Sequence, residues 1–158
     1  VNYLLDTNIL LEFLLDQDRA DEVERFLKEV PHQQLAVTEF SIHSVGILLL
    51  RRKMHAGFVR FAEDLLLSGA IGLVRLDVSD IIRVGKTAGA TGLDFDDAFQ
   101  YVAAEKHDLT LISFDADFDR TDRGRKTPAD ILGEPPVARD KPATKPPRRR
   151  GLWPRYIA

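Results

Sequence analysis

Cysteine is absent from this 158-residue chain. That excludes a disulfide framework and a thiolate zinc site, and it fits a reducing compartment. The four histidines, His32, His43, His55 and His107, show no HxxH or HExxH spacing, so an imidazole zinc centre drops out too. No stretch approaches the ~18 uninterrupted apolar residues of a membrane span. The apolar opening from Val1 to Leu15 is interrupted by Asp6 and Glu12 and lacks the basic start of a secretory signal. A soluble, cytoplasmic protein with no membrane partner is expected. No glycine-rich turn follows Leu5, which removes a Rossmann-type cofactor site, and no internal repeat is visible.

What is present is enough for one core: 44% of residues are hydrophobic and 30% charged. The net charge of −3 conceals an asymmetry. Residues 1–133 carry 15 Lys+Arg against 23 Asp+Glu, whereas residues 134–158 carry 7 against 2. The second segment interleaves Pro135, Pro136, Pro142, Pro146 and Pro147 with Lys141, Lys145 and the run Arg148-Arg149-Arg150. It reads as a disordered basic tail, with Trp153 and Tyr156 as possible stacking groups, behind an acidic domain over 1–133.

Within that domain strands alternate with helices. Tyr3–Leu5 reads as a buried strand, Asp6-Thr7-Asn8 as a capping turn and Ile9–Leu15 as a helix start. A charged helix spans about Arg19–Val30, a strand Leu35–Val37, and a long helix runs from a Thr38 cap past Glu39 toward Met54. Phe58–Leu67 is helical, Ile71–Leu76 strand-like and Ser79–Ala88 helical before an Ala-Gly-Ala-Thr-Gly loop. Asp94–His107 is a further helix and Leu109–Phe114 the clearest strand. This alternation predicts a three-layer α/β/α sandwich around a central parallel sheet, with ligands beyond the C-terminal strand ends.

Four acids fall at those ends: Asp6 after the first strand, Glu39 opening the helix after the second, Asp97 in a helix's first turn, and Asp115 after the last strand. Crowded carboxylates repel one another unless a divalent cation neutralises them, and an oxygen-only donor set suits Mg²⁺ or Mn²⁺. Such an ion retains waters and stabilises charge on a phosphodiester under attack.

The segments LLDTNILLEFL, TEFSIHSVGILL and GLDFDDAFQYVAAEKHDLTLISFDADF resemble the PIN-domain family, in particular its toxin branch from toxin–antitoxin pairs. The likeness covers about residues 3–119. It aligns Asp6, Glu39, Asp97 and the Ser113-Phe114-Asp115 motif with the family's acidic set. The resemblance implies a metal-dependent endoribonuclease, an RNA substrate, a cognate antitoxin and a homodimer. Asp6, Asp97 and Asp115 are then direct metal ligands, and Glu39 either a water-mediated metal contact or an aid in orienting the nucleophile. Asp94 is a cap, Asp117 a supporting or second-metal ligand, and Asn8 and Ser113 neutral donors to carboxylate or phosphate.

RNA also requires cations. Arg51, Arg52 and Lys53 at the end of the long helix, and Arg120, Arg123, Arg125 and Lys126 after the last acidic turn, are the candidates, each equally readable as a solvated face. The dimer contact is expected on the long helix through Val45, Leu48 and Leu49, a face that also suits the core. Two rivals are weighed. A haloacid-dehalogenase-like phosphatase needs a second Asp where Asn8 stands. A PIN-like module that binds RNA or protein without cleavage keeps the same acids and is separable only by assay.

Overall fold

The computed structural model describes residues 1–135; the tail expectation, with Arg148–Arg150, Trp153 and Tyr156, lies outside the described residues. Four short strands, β1 (Tyr3–Leu5), β2 (Leu35–Thr38), β3 (Gly72–Val74) and β4 (Thr110–Ile112), form one parallel sheet in the order β3-β2-β1-β4. Residues Tyr3 and Leu5 register against Leu35 and Val37 on one side and Thr110 and Ile112 on the other. The chain steps outward from β1 to β2 to β3, then returns across the sheet to lay β4 on the free side of β1. That reversal makes the C-terminal ends of β1 and β4 the switch point, where open parallel sheets form their clefts.

Side-chain alternation divides the core. Leu5, Val37 and Ile112 face one layer, packed by α1 (Thr7–Leu14), α2 (Ala20–Glu29), α3 (Glu39–Arg51) and α4 (His55–Ala62) through Ile9, Phe26, Leu49 and Phe61. Leu4, Ala36 and Leu111 face the other, covered by α5 (Val78–Thr91) and α6 (Phe95–Lys106) through Val84, Val102 and Ala103. All of β2 is buried, as a strand covered on both faces must be. This is the α/β/α sandwich that the alternating pattern predicts.

Three local details differ from the sequence reading. The helix after β3 does not stop before Ala-Gly-Ala-Thr-Gly; α5 opens on an Asp77–Asp80 capping box and continues to Thr91, ending at Gly92 with φ 71°. Gly85 and Gly89 weaken it intrinsically, but its packing along α6 outweighs that cost. The long helix stops at Arg51 rather than near Met54, with Lys53 at φ 58° turning the chain into α4, and a π-helical turn over Glu63–Leu67 follows. Val45 and Leu49 are core residues, 0% and 1% exposed; the apolar side chains that α3 offers to solvent are Ile47 and Leu50. The short α7 (Pro128–Leu132) docks on α2 through Ala129 N–H to the buried Glu22 carboxylate at 3.0 Å, and Arg25 grips Glu134 at 2.7 Å.

Candidate metal centre

The switch point is built from β1 outward. Asp6 ends β1 with its N–H donating to the Ile112 carbonyl at 2.9 Å, which locks the two strand ends together. Its side chain caps α1, accepting from the Thr7 N–H at 2.7 Å. The other carboxylate oxygen accepts from Asn8 Nδ2 at 2.9 Å and from Ser113 Oγ at 2.7 Å. Asn8 also donates to Ser113 Oγ at 3.0 Å and accepts the Phe114 N–H at 3.2 Å. Asn8, together with Asp6 and Ser113, thus clamps the two loops of the cleft.

Ser113 Oγ accepts the Asp115 N–H at 3.0 Å, and the Asp115 carboxylate accepts the Asp117 N–H at 2.8 Å. This tight turn presents two carboxylates to α6. There Asp94 caps the helix by accepting from the Asp97 N–H at 3.0 Å, which sets Asp97 facing the turn. Asp97, Asp115 and Asp117 each offer a carboxylate oxygen within 4.8 Å of the others. Asp6 is buried and is not one of the three; its Oδ2 accepts two hydrogen bonds and its Oδ1 only one.

The electrostatics agree with the geometry. Burial pushes the Asp6 carboxyl up to about 6, against hydrogen bonds from Ser113 and Thr7, with the charges of Asp115 and Asp96 adding to the rise. Burial also raises Asp97, to about 7, helped by Asp94, Asp6, Asp115 and Asp117. These acids face one another, and among the described residues the ion pair at the cluster is Arg120 on the outermost acid, Asp117, at 3.5 Å. An all-oxygen set of converging carboxylates fits a hard divalent cation.

Glu39 takes a different position. In the first turn of α3, its carboxylate accepts from Arg75 Nε at 3.0 Å and is not among the converging oxygens. The basic candidates divide as well. Arg120 donates to the Gly92 carbonyl at 3.1 Å, Arg123 pairs with Asp108 at 3.0 Å, and Arg125 ties the Ser113 carbonyl to Asp119 at 3.0 and 3.1 Å. Lys126 is exposed. Arg51, Arg52 and Lys53 are exposed at the far end of α3, about 20 Å along the helix from Glu39.

Several positioning residues are absent from the sequence reading. Buried Ser41 accepts from Gln100 Nε2 at 2.6 Å, shares a hydrogen bond with Thr7 Oγ1 at 2.9 Å and accepts from Thr38 Oγ1 at 3.1 Å. That cluster joins α1, β2, α3 and α6 beneath the acids. Gln100 carried a signal: it is polar and stands in an otherwise apolar run three residues after Asp97. Arg75, at the end of β3, carried none.

Residues 3–124 match the family model of the PIN domain. The chain belongs to the PIN-domain family. PIN domains are nucleases that generally use divalent metals, consistent with the acid cluster at the switch point. Among solved structures, a toxin–antitoxin complex from Klebsiella pneumoniae is similar at 25% identity and TM-score 0.64, over 80% of this chain and 98% of that one. FitAcB from Neisseria gonorrhoeae follows at 20% identity and TM-score 0.64, over 80% and 97%. VapC20 of Mycobacterium tuberculosis, a sarcin-ricin loop cleaving toxin, is similar at 18% identity and TM-score 0.66, over 75% and 93%. The latter two attest the shared PIN fold. No curated protein sequence matches this chain. Among the described residues no helix is long and apolar enough to cross a membrane.

Proposed function

We propose that this PIN-domain protein is a Mg²⁺- or Mn²⁺-dependent endoribonuclease, the toxin of a toxin–antitoxin pair acting on cytoplasmic RNA. The observation that carries this reading is the convergence of Asp97, Asp115 and Asp117 within 4.8 Å at the sheet's switch point, backed by buried Asp6.

Asp97, Asp115 and Asp6 would hold the cation, with Asp117 closing the open side. A bound divalent ion supplies charge stabilisation for the phosphodiester and a more acidic attacking water. Ser113 and Asn8 orient Asp6 toward the centre. Glu39, drawn from Arg75, stands at the strand end from which a carboxylate can orient the attacking water. Lys126 is the exposed cation of the basic loop that is free to meet RNA backbone.

The toxin assignment draws support from the Klebsiella toxin–antitoxin complex, whose fold this chain shares over most of its length. A cognate antitoxin is accordingly proposed as the protein partner. A homodimer is proposed through Ile47 and Leu50 of α3 and Val59 of α4, 57%, 42% and 53% exposed.

The test is cleavage of a panel of structured and single-stranded RNAs by the purified chain with Mg²⁺, Mn²⁺ or EDTA, beside Asp6→Asn. Metal-dependent cleavage lost in the variant is expected. Metal binding without cleavage of any RNA would instead favour a binding module, and failure to bind metal would remove the site assignment.

A further inference from the structure

Phe95 is an aromatic residue at the first position of a helix whose opening otherwise consists of acids: Asp94 caps it and Asp96 and Asp97 follow. The side chain is 50% exposed, yet it is not loose. Its ring centroid lies 5.9 Å from Phe40 at 63° and 6.2 Å from Phe99 at 49°, while Phe40 and Phe99 stack at 5.0 Å. Phe99 is a core residue and Phe40 packs against the same cluster. Half a ring therefore stands in solvent on a rigid base, between the acidic first turn of α6 and Glu39, the residue before Phe40.

Beyond Glu39 is Arg75, 66% exposed, holding that carboxylate through Nε. The terminal amino groups of Arg75 have no hydrogen-bond partner among the described residues. Each strand of the sheet thus ends in a polar group at this edge, and β3 contributes the cation.

We infer that Phe95 is a stacking shelf for the base of an unpaired nucleotide beside the scissile phosphate, and that Arg75 takes a neighbouring phosphate; this rests on the nuclease reading above. Every base has a π-face, so such a shelf tolerates sequence, but a base inside a duplex has both faces covered and cannot reach it. An apolar protein face seated on Phe95 would instead bury Asp94 and Asp96 without counter-charge.

The test uses the full-length chain with Mg²⁺ and a single-stranded RNA that it cuts. Phe95→Ala and Phe95→Leu are expected to raise KM about tenfold with kcat little changed, and Phe95→Trp to restore it, as loss and return of one stacked base require. An abasic residue is then walked along the RNA. At one position wild type should lose as much as Phe95→Ala, and the variant should lose nothing further, which a merely structural role cannot produce. Wild-type KM in Phe95→Ala, or an equal penalty at every abasic position, would overturn the shelf. So would unchanged cleavage with a dimer lost in sedimentation, which would make Phe95 a protein contact. Arg75→Gln should lower the slope of log KM against log salt by about one; an unchanged slope removes the phosphate contact. If wild type cuts no RNA with either metal, the nuclease reading itself fails, and this is seen before any variant is made.

Discussion

Two groups of carboxylates on this domain show opposite chemistry. At the start of α5, Asp77 and Asp80 meet Lys106 at 3.0 and 2.5 Å, and Arg83 stands 3.9 Å from Asp80. The Lys106 hydrogen bond holds the Asp80 carboxyl below its ordinary range. At the switch point Asp6 and Asp97 are pushed up instead, burial first and neighbouring acids next. The first cluster carries its own cations and fastens α5 to α6. The second has, among the described residues, only Arg120 on its outermost member Asp117, and its oxygens suit a cation from outside. Two acid-rich helix starts, similar in composition, therefore do different work, and the cations Lys106 and Arg83 on one side and burial on the other tell them apart.

Substitution should break the comparison most sharply. Asp97→Asn is expected to cut cleavage by about 100-fold or more, since even partners of metal ligands are worth about 10–100-fold, while the metal-free protein at pH 7.5 melts no lower than wild type. Asp80→Asn should do the reverse, with cleavage retained and the melting temperature lowered as the capping box and the Lys106 pair are lost. Calorimetry beside a cleavage assay reads both.

Acidity gives the next largest effect. In the metal-free protein the folded Asp6 carboxyl titrates near 6 against 3.8 for the free group, so between those values the folded state binds the extra proton. Stability should then fall as pH rises through about 4 to 6, by up to about 3 kcal/mol from Asp6, with Asp97 acting in the same direction. The depressed Asp80 carboxyl has the opposite sign: its contribution is complete above 3.8 and is lost as pH falls through its lowered folded value. Adding Mg²⁺ should raise the melting temperature more at pH 7.5 than at pH 5.5, because protons compete for the same oxygens. An equal rise at both values would argue that the ion binds elsewhere. The smallest effect belongs to the exposed Glu39–Arg75 pair, whose separation by Arg75→Gln should move the melting temperature by about a degree or less.

Much of this was legible in the sequence because it rests on order and period. The alternation of apolar runs predicts the sheet and its layers, and Asp6, Asp97 and Asp115 fall at strand ends or first turns from their neighbours alone. Contacts between distant segments were legible only in part. Ser113 and Asn8 read as donors to a carboxylate, and the structure shows that carboxylate to be Asp6, 107 residues before Ser113. The pairing of Glu39 with Arg75 depends on β3 lying beside β2, and the place of Asp117 in the trio depends on a turn held by Ser113 and Asp115. The last turn of α5, through Gly89, reads locally as a loop because its helical stabilisation comes from packing on α6. Val45 and Leu49 read equally as a dimer face or as core, because nothing local announces which side of α3 is covered; the structure makes them core.

The lateral bonding of β4 to β1 sets a schedule for the chain during synthesis. A growing polypeptide that stops short of residue 113 has Asp6 but neither the hydroxyl that aligns it nor the turn that brings Asp115 and Asp117. Domains assemble from the N-terminus as they emerge, yet this centre waits for its last strand to slot beside its first. Unfinished copies therefore lack the assembled acid cluster, which only the complete domain presents.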